Sequence, residues 1–177
     1  YCLTKDPLLA SWSRKNLFNS NEGLIQSEKG VMINDKMPQY AFEFMKKNIK
    51  FKLSGTKVLL LGVSYLNDVG DTRYTPVELF YDLLISENAT VTLHDPFLSY
   101  WQEKDEIVES NLEKVINYDY DIIVISTGHS LYRNNSSLIS KFIKSDKLMI
   151  FDMIGIFSED EINKLNLEHK IKILGRG

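Results

Sequence analysis

The chain has 177 residues, 44% of them hydrophobic, and a single cysteine, so it can build a proper core but holds no internal disulfide framework. A formal charge of −3 and a pI of about 5.7 argue against nucleic acid, whose phosphates need a basic stripe. No apolar run is long enough to span a bilayer and no basic-then-apolar leader occurs, so neither membrane span nor signal peptide is expected and the default location is the cytoplasm.

The first third reads as helical. Asp6 and Pro7 have the form of a cap and first helical position for a short helix through Leu8, Leu9 and Trp12. A second start lies near Ser20-Asn21-Glu22. From Leu24 and Ile25 through Val31, Met32, Tyr40, Ala41, Phe44 and Met45 the apolar residues recur at roughly helical spacing, which predicts a long helix. Pro38 removes an amide donor and its ring clashes with the carbonyl near Asn34, so a kink or break is expected around 34–38. The segment is either an ordinary core helix or a two-fold dimer interface. A boundary near Lys50 to Thr56 separates this region, 1–50, from the remainder, 54–177.

Beyond Ser54-Gly55, strand and helix patterns alternate. Strands are expected at Lys57–Val63, Thr90–Leu93, Asp121–Ser126, Leu148–Asp152 and Ile171–Leu174, with helices at Pro76–Glu87, 111–116, 137–143 and Glu159–Leu165. That order predicts an α/β fold, a Rossmann-like, doubly wound parallel sheet preceded by the long-helix segment. The first strand-to-helix junction is the most informative. Thr75 suits an N-cap, Pro76 the first helical position, and Glu78, three residues after Thr75, completes a capping box. Between strand and helix runs a polar loop with Asp68, Asp71 and Arg73, at the carboxyl end of the sheet where ligands bind in such folds. It is not a dinucleotide fingerprint: Gly62 is followed by Val63, Ser64, Tyr65 and Leu66, where a pyrophosphate would need glycines.

Five ordered segments resemble one family. Gly62-Val-Ser-Tyr-Leu-Asn-Asp-Val-Gly-Asp-Thr-Arg-Tyr-Thr-Pro76 is similar to the Gly-x-x-(Phe/Tyr)-Lys-x-x-x-x-Asp-x-Arg-x-Ser-Pro segment of the UDP-sugar 6-dehydrogenases. Tyr1-Cys-Leu-Thr-Lys-Asp-Pro7 resembles the end of that family's Gly-Gly-x-Cys-x-x-Lys-Asp motif, and Ile33-Asn-Asp-Lys-Met-Pro38 its central-helix Asn-x-x-Met-Pro step. Val91-Thr-Leu-His-Asp-Pro96 and Ile123-Val-Ile-Ser-Thr-Gly-His-Ser-Leu-Tyr132 are similar to two of its strand ends.

The resemblance implies a part of an NAD-dependent enzyme that oxidises a UDP-sugar at C6 to a carboxylate, with the NAD-binding domain lying before Tyr1. On that basis the 177 residues alone are expected to be inactive. It implies Cys2 as the nucleophile that forms a thioester, Asp6 as a group that helps activate water or organises the site, and Lys5 as an auxiliary charge near the cofactor or site. It places UDP against the Gly62–Arg73 loop, with Tyr65 packing on the nucleotide, Arg73 organising the loop or meeting phosphate, and Arg176 supplying a second cation. Leu66 stands where the family commonly has Lys. The central helix implies a homodimer through residues 22–48.

Other residues point less far. Asp95 ends a strand where a Rossmann domain would hold a ribose hydroxyl, but Asp-Pro is an ordinary turn, and the turn reading is preferred. His94, His129 and His169 are too scattered for a zinc site, and no metal is expected. A non-catalytic nucleotide-binding or dimerisation module is the alternative function. A Cys2–His129 hydrolase lacks a nucleophile elbow.

Overall fold

The computed structural model describes residues 2–18, 20–133 and 135–176, with the backbone alone for Cys2 and Leu3. Three helices come first: α1 (Cys2–Asn16), α2 (Ile25–Asp35) and α3 (Met37–Asn48). The α/β part then runs β1 (Lys57–Leu61), α4 (Val77–Ser86), β2 (Thr90–His94), β3 (Tyr100–Trp101), β4 (Glu106–Ile107), α5 (Leu112–Val115), β5 (Ile122–Ile125), α6 (Ser136–Lys144), β6 (Met149–Asp152), α7 (Glu159–Glu168) and β7 (Lys170–Ile173).

Five strands form one parallel sheet in the order β2-β1-β5-β6-β7. Its central strands are buried on both faces, as their near-continuous Val, Leu and Ile runs require. Successive residues of β1 divide between two cores. Val58 and Leu60 join Phe42, Met45, Phe80 and Leu84, from α3 and α4, on one face. Leu59 and Leu61 join Leu112, Phe142 and Leu165, from α5, α6 and α7, on the other. Helices on both faces make the sheet doubly wound, as the alternating pattern predicts.

Several local expectations change. α1 runs unbroken from Cys2 with Pro7 inside it, so Asp6 is a helical residue rather than a cap; so near the helix start, a missing donor removes one ladder bond. The expected long helix is two helices meeting at Lys36, with Pro38 in the first turn of α3, where its fixed φ is tolerated. Within the 22–48 segment expected to form the dimer, Phe44 packs edge-on against Phe151 of β6 at 6.3 Å, whereas Tyr40 is exposed. At α4, the Val77 amide donates to the buried Thr75 hydroxyl at 3.3 Å, but no capping box forms. Glu78 reaches Lys104 instead, at 3.0 Å. The β3–β4 hairpin was not expected; its two-residue strands are too short for alternation to show.

Candidate functional site

Between β1 and β5 the connections part, β1 leading to β2 at one edge and β5 to β6 toward the other. Such a reversal opens a crevice at the carboxyl ends of the strands, where parallel α/β sheets bind ligands. Here the two loops that flank it, 62–76 after β1 and 126–135 after β5, are hydrogen-bonded to each other between residues 62–68 and 126–130. Ser126 Oγ donates to the Gly62 carbonyl at 2.6 Å and Thr127 Oγ1 to the Ser64 carbonyl at 2.8 Å. The Gly128 amide donates to Asn67 Oδ1 at 3.0 Å, and the Ser130 amide to Asp68 Oδ1 at 2.8 Å.

Gly62 makes this seam possible. It has φ +94°, and a Cβ there would lie 2.4 Å from Thr127 Cβ and 2.8 Å from the Thr127 amide nitrogen. Only a residue without a side chain both tolerates that backbone and admits the neighbouring loop.

Beneath the seam lies a buried polar centre. Asp95 Oδ2 accepts from the Val63 and Ser64 amides, each at 3.0 Å, and from Ser64 Oγ at 2.8 Å. Its Oδ1 accepts from the Phe97 amide at 3.0 Å, which is the expected turn. His129 Nε2 donates to Asp95 Oδ2 at 3.0 Å, while His129 Nδ1 accepts from the Asp68 amide at 2.9 Å. That pairing sets the proton on Nε2. Both side chains are fully buried. Burial pushes the Asp95 carboxyl up, but the hydrogen bonds from His129, Phe97 and Val63 outweigh it and hold it down to about 2. Burial also drives neighbouring His94 down to about 4, leaving it a neutral partner of the Tyr132 hydroxyl at 2.7 Å. Asp95 and His129 thus connect β1, β2 and β5 at their carboxyl ends. The turn reading caught only one of Asp95's contacts; the Asp-Pro and Thr-Gly-His patterns at two strand ends were the available signal.

The expected site residues fall into three places. Tyr65 and Leu66 are exposed on the β1–α4 loop, with the Tyr65 amide donating to the Asp71 carbonyl at 3.0 Å. Arg73, on the same loop, forks onto Asp71 through Nε at 2.9 Å and Nη2 at 2.6 Å, and holds that carboxyl down to about 2. Arg176, beyond β7, pairs with Glu159 at 2.8 Å. Lys5 and Asp6 lie on α1 and pair with each other at 3.2 Å. The Cys2 side chain, and with it any Cys2–His129 pairing, lies outside the described residues.

The described residues do not fit a dinucleotide. Tyr65 and Leu66 follow the first strand where glycines would admit a pyrophosphate. Asp95, at the position of a ribose-binding acid, has its oxygens engaged by protein donors and is inaccessible.

Known proteins share this architecture. Over its full length the chain is 31% identical to the UDP-N-acetyl-D-mannosamine dehydrogenase of Methanocaldococcus jannaschii, covering 38% of it. It superposes, over 99% of its length, on 38% of the crystal structure of an NDP-N-acetyl-D-galactosaminuronic acid dehydrogenase from Methanosarcina mazei Go1, with 27% identity and a TM-score of 0.81. A UDP-D-ManNAc dehydrogenase from Pyrococcus horikoshii matches over 99% of this chain and 38% of its own, with 26% identity and a TM-score of 0.71. The chain therefore spans well under half the length of these relatives. A family profile, that of the UDP-binding domain, matches residues 59–159, a stretch that takes in β1 to the start of α7 and both loops of the seam. On that match the chain belongs to the UDP-glucose/GDP-mannose dehydrogenase family, and residues 59–159 are its UDP-binding domain.

Proposed function

We propose that this chain is the nucleotide-binding and dimerising part of an NAD-dependent UDP-sugar 6-dehydrogenase acting in the cytoplasm. The observation that carries the reading is the family match over 59–159, whose range includes both loops at the sheet's switch point. UDP lies against the β1–α4 loop, where the exposed Tyr65 ring and Leu66 side chain offer apolar contact to the uridine. Arg73 braces the loop through Asp71, and Arg176 stands at the same end of the sheet.

The hydride acceptor, NAD, is held elsewhere in the protein, since the described residues do not fit it. The resemblance of residues 1–7 supports a thioester route: Cys2 holds the substrate's C6 carbon as a thioester that water hydrolyses to the carboxylate, with Asp6 helping to activate that water and Lys5 adding positive charge. The exposed Met32, Ile33, Met37 and Tyr40 on α2 and α3 support a two-fold interface between copies through residues 22–48, with 1–50 holding the end of the catalytic motif and the dimerisation helices and 54–177 the nucleotide domain.

Calorimetric titration of the protein with UDP and uridine tests the nucleotide reading. UDP is expected to bind more tightly than uridine; no heat with millimolar UDP overturns it. NADH formation by the full-length enzyme with UDP-N-acetylhexosamines, and its loss in Cys2→Ala, tests the chemistry.

A further inference from the structure

We propose that Arg133 is the cation that receives the diphosphate of a bound nucleoside diphosphate at this site. The inference rests on the nucleotide reading above and names the residue that meets the charge.

The cations around the carboxyl end of the sheet differ in what already holds them. Arg73 is forked onto Asp71 and Arg176 is paired with Glu159. Lys104 sits between Glu78 at 3.0 Å and Asp82 at 2.8 Å. A phosphate approaching any of these must displace or repel a carboxylate. Arg133 is different. Its Nε donates to a neutral acceptor, the Gly128 carbonyl, at 3.0 Å, and among the described residues it forms no ion pair. The guanidinium's terminal nitrogens keep their donors, in the planar fork that suits phosphate oxygens.

Its position is as telling as its charge. Arg133 closes the loop after β5, the one joined to the β1–α4 loop along the seam. Its guanidinium lies over Gly128, so that a Cβ on Gly128 would be 2.5 Å from Nη2 and 3.1 Å from Ile154 Cγ2. The Gly128 amide is itself tied to Asn67 across the seam. The bare backbone of one loop therefore seats the guanidinium, and the carbonyl orients it, before any ligand arrives; fixing a long side chain in advance lowers the entropy cost of binding. Asp68, whose carboxyl is lowered chiefly by its hydrogen bonds from Ser130 and in small part by the Arg133 charge, has its two oxygens engaged by the Ser130 amide and hydroxyl. A diphosphate, with more charge than one carboxylate, outcompetes it for the guanidinium.

The test is titration of UDP and uridine into wild-type protein and single variants, each with a thermal melt. Arg133→Gln is expected to weaken UDP about ten-fold or more, the loss of one charge-assisted contact, while leaving uridine and the melt unchanged. Arg133→Lys should recover part of the loss. Gly128→Ala, which keeps the charge but pushes the guanidinium off its seat, should weaken UDP selectively as well. The effect of Arg133→Gln should exceed those of Arg73→Gln and Arg176→Gln. The proposal is overturned if Arg133→Gln binds UDP as wild type does, or if it weakens UDP and uridine equally, which marks a role in shape alone. If wild-type protein binds no UDP, the nucleotide reading itself fails, an outcome distinct from failure at Arg133.

Discussion

The two halves of the molecule differ in how they bury their apolar surface. In the sheet half, β5 and all of β1 after Lys57 are buried, and the loops at their ends are joined by hydrogen bonds. In the helical half, Leu9, Trp12, Met32, Ile33 and Tyr40 are each more than half exposed. α1 is held to α2 largely by polar contacts, among them Ser11 accepting from the Leu24 amide at 2.8 Å and Lys15 pairing with Glu28 at 3.1 Å. Contiguous apolar faces turned outward, as on these helices, are of the kind that other surfaces cover. The contrast sets a sheet half built around a buried polar centre beside a helical half that leaves several large apolar side chains in solvent.

Removing the polar centre should break the sheet half most severely. Asp95→Ala leaves the Val63 and Ser64 amides and the His129 ring without their acceptor in a buried site, and is expected to cost about 3–5 kcal/mol in denaturant unfolding. A loss under about 1 kcal/mol would mean that water reaches this centre and the seam is not closed.

Gly62→Ala comes next, at about 2–4 kcal/mol, because the added Cβ meets backbone as well as side-chain atoms of Thr127 and the φ of +94° disfavours it. The same substitution at Gly55, which has positive φ but open space, should cost less. Equal losses at the two glycines would show that strain matters and loop contact does not.

Acid should unfold the sheet half in two steps. Folded His94 titrates at about 4 against an ordinary value of 6.5, so the unfolded chain takes up a proton first and stability is lost as pH falls from about 6.5 to about 4. The loss is on the order of 3 kcal/mol. Asp95, held at about 2 against an ordinary 3.8, contributes stability that is present above pH 4 and lost as pH falls from near 4 toward 2. Melting temperatures between pH 8 and pH 3 report both, and His94→Gln should flatten the upper window. An unchanged upper window in that variant removes His94 as the cause.

The smallest effects on stability should fall in the helical half and separate its two faces. Tyr40→Glu, on the exposed side, is expected to change stability by under about 0.5 kcal/mol while lowering the association state in sedimentation. Phe44→Glu should destabilise the sheet half instead, because that ring lies on Phe151. If both variants sediment as wild type does, the exposed face of α3 serves no self-association.

How much was legible in the chain follows from the range of the interactions involved. The strands of the sheet and the helices between them were readable because runs such as Val58-Leu-Leu-Leu61 and Ile122-Ile-Val-Ile125 are local patterns whose burial dictates their form. The break before Pro38 was readable for the same reason, since one ring decides it. Thr75 and Glu78 misled: the spacing of a capping box was present, but Lys104, from the hairpin after β2, competes for the carboxylate, and no local rule anticipates it.

The chain by itself determined the α/β order and the absence of a dinucleotide turn after β1, because each depends on residues within a few positions of one another. Tertiary structure alone decided that Asp95 and His129 share one buried centre, that Gly62 is pressed against Thr127, and that Arg176 is matched by Glu159. The physical reason is sequence distance. His129 lies 34 positions from Asp95, so their meeting is fixed by the crossover that places β5 beside β1, and no local pattern records which polar groups that crossover will bring together.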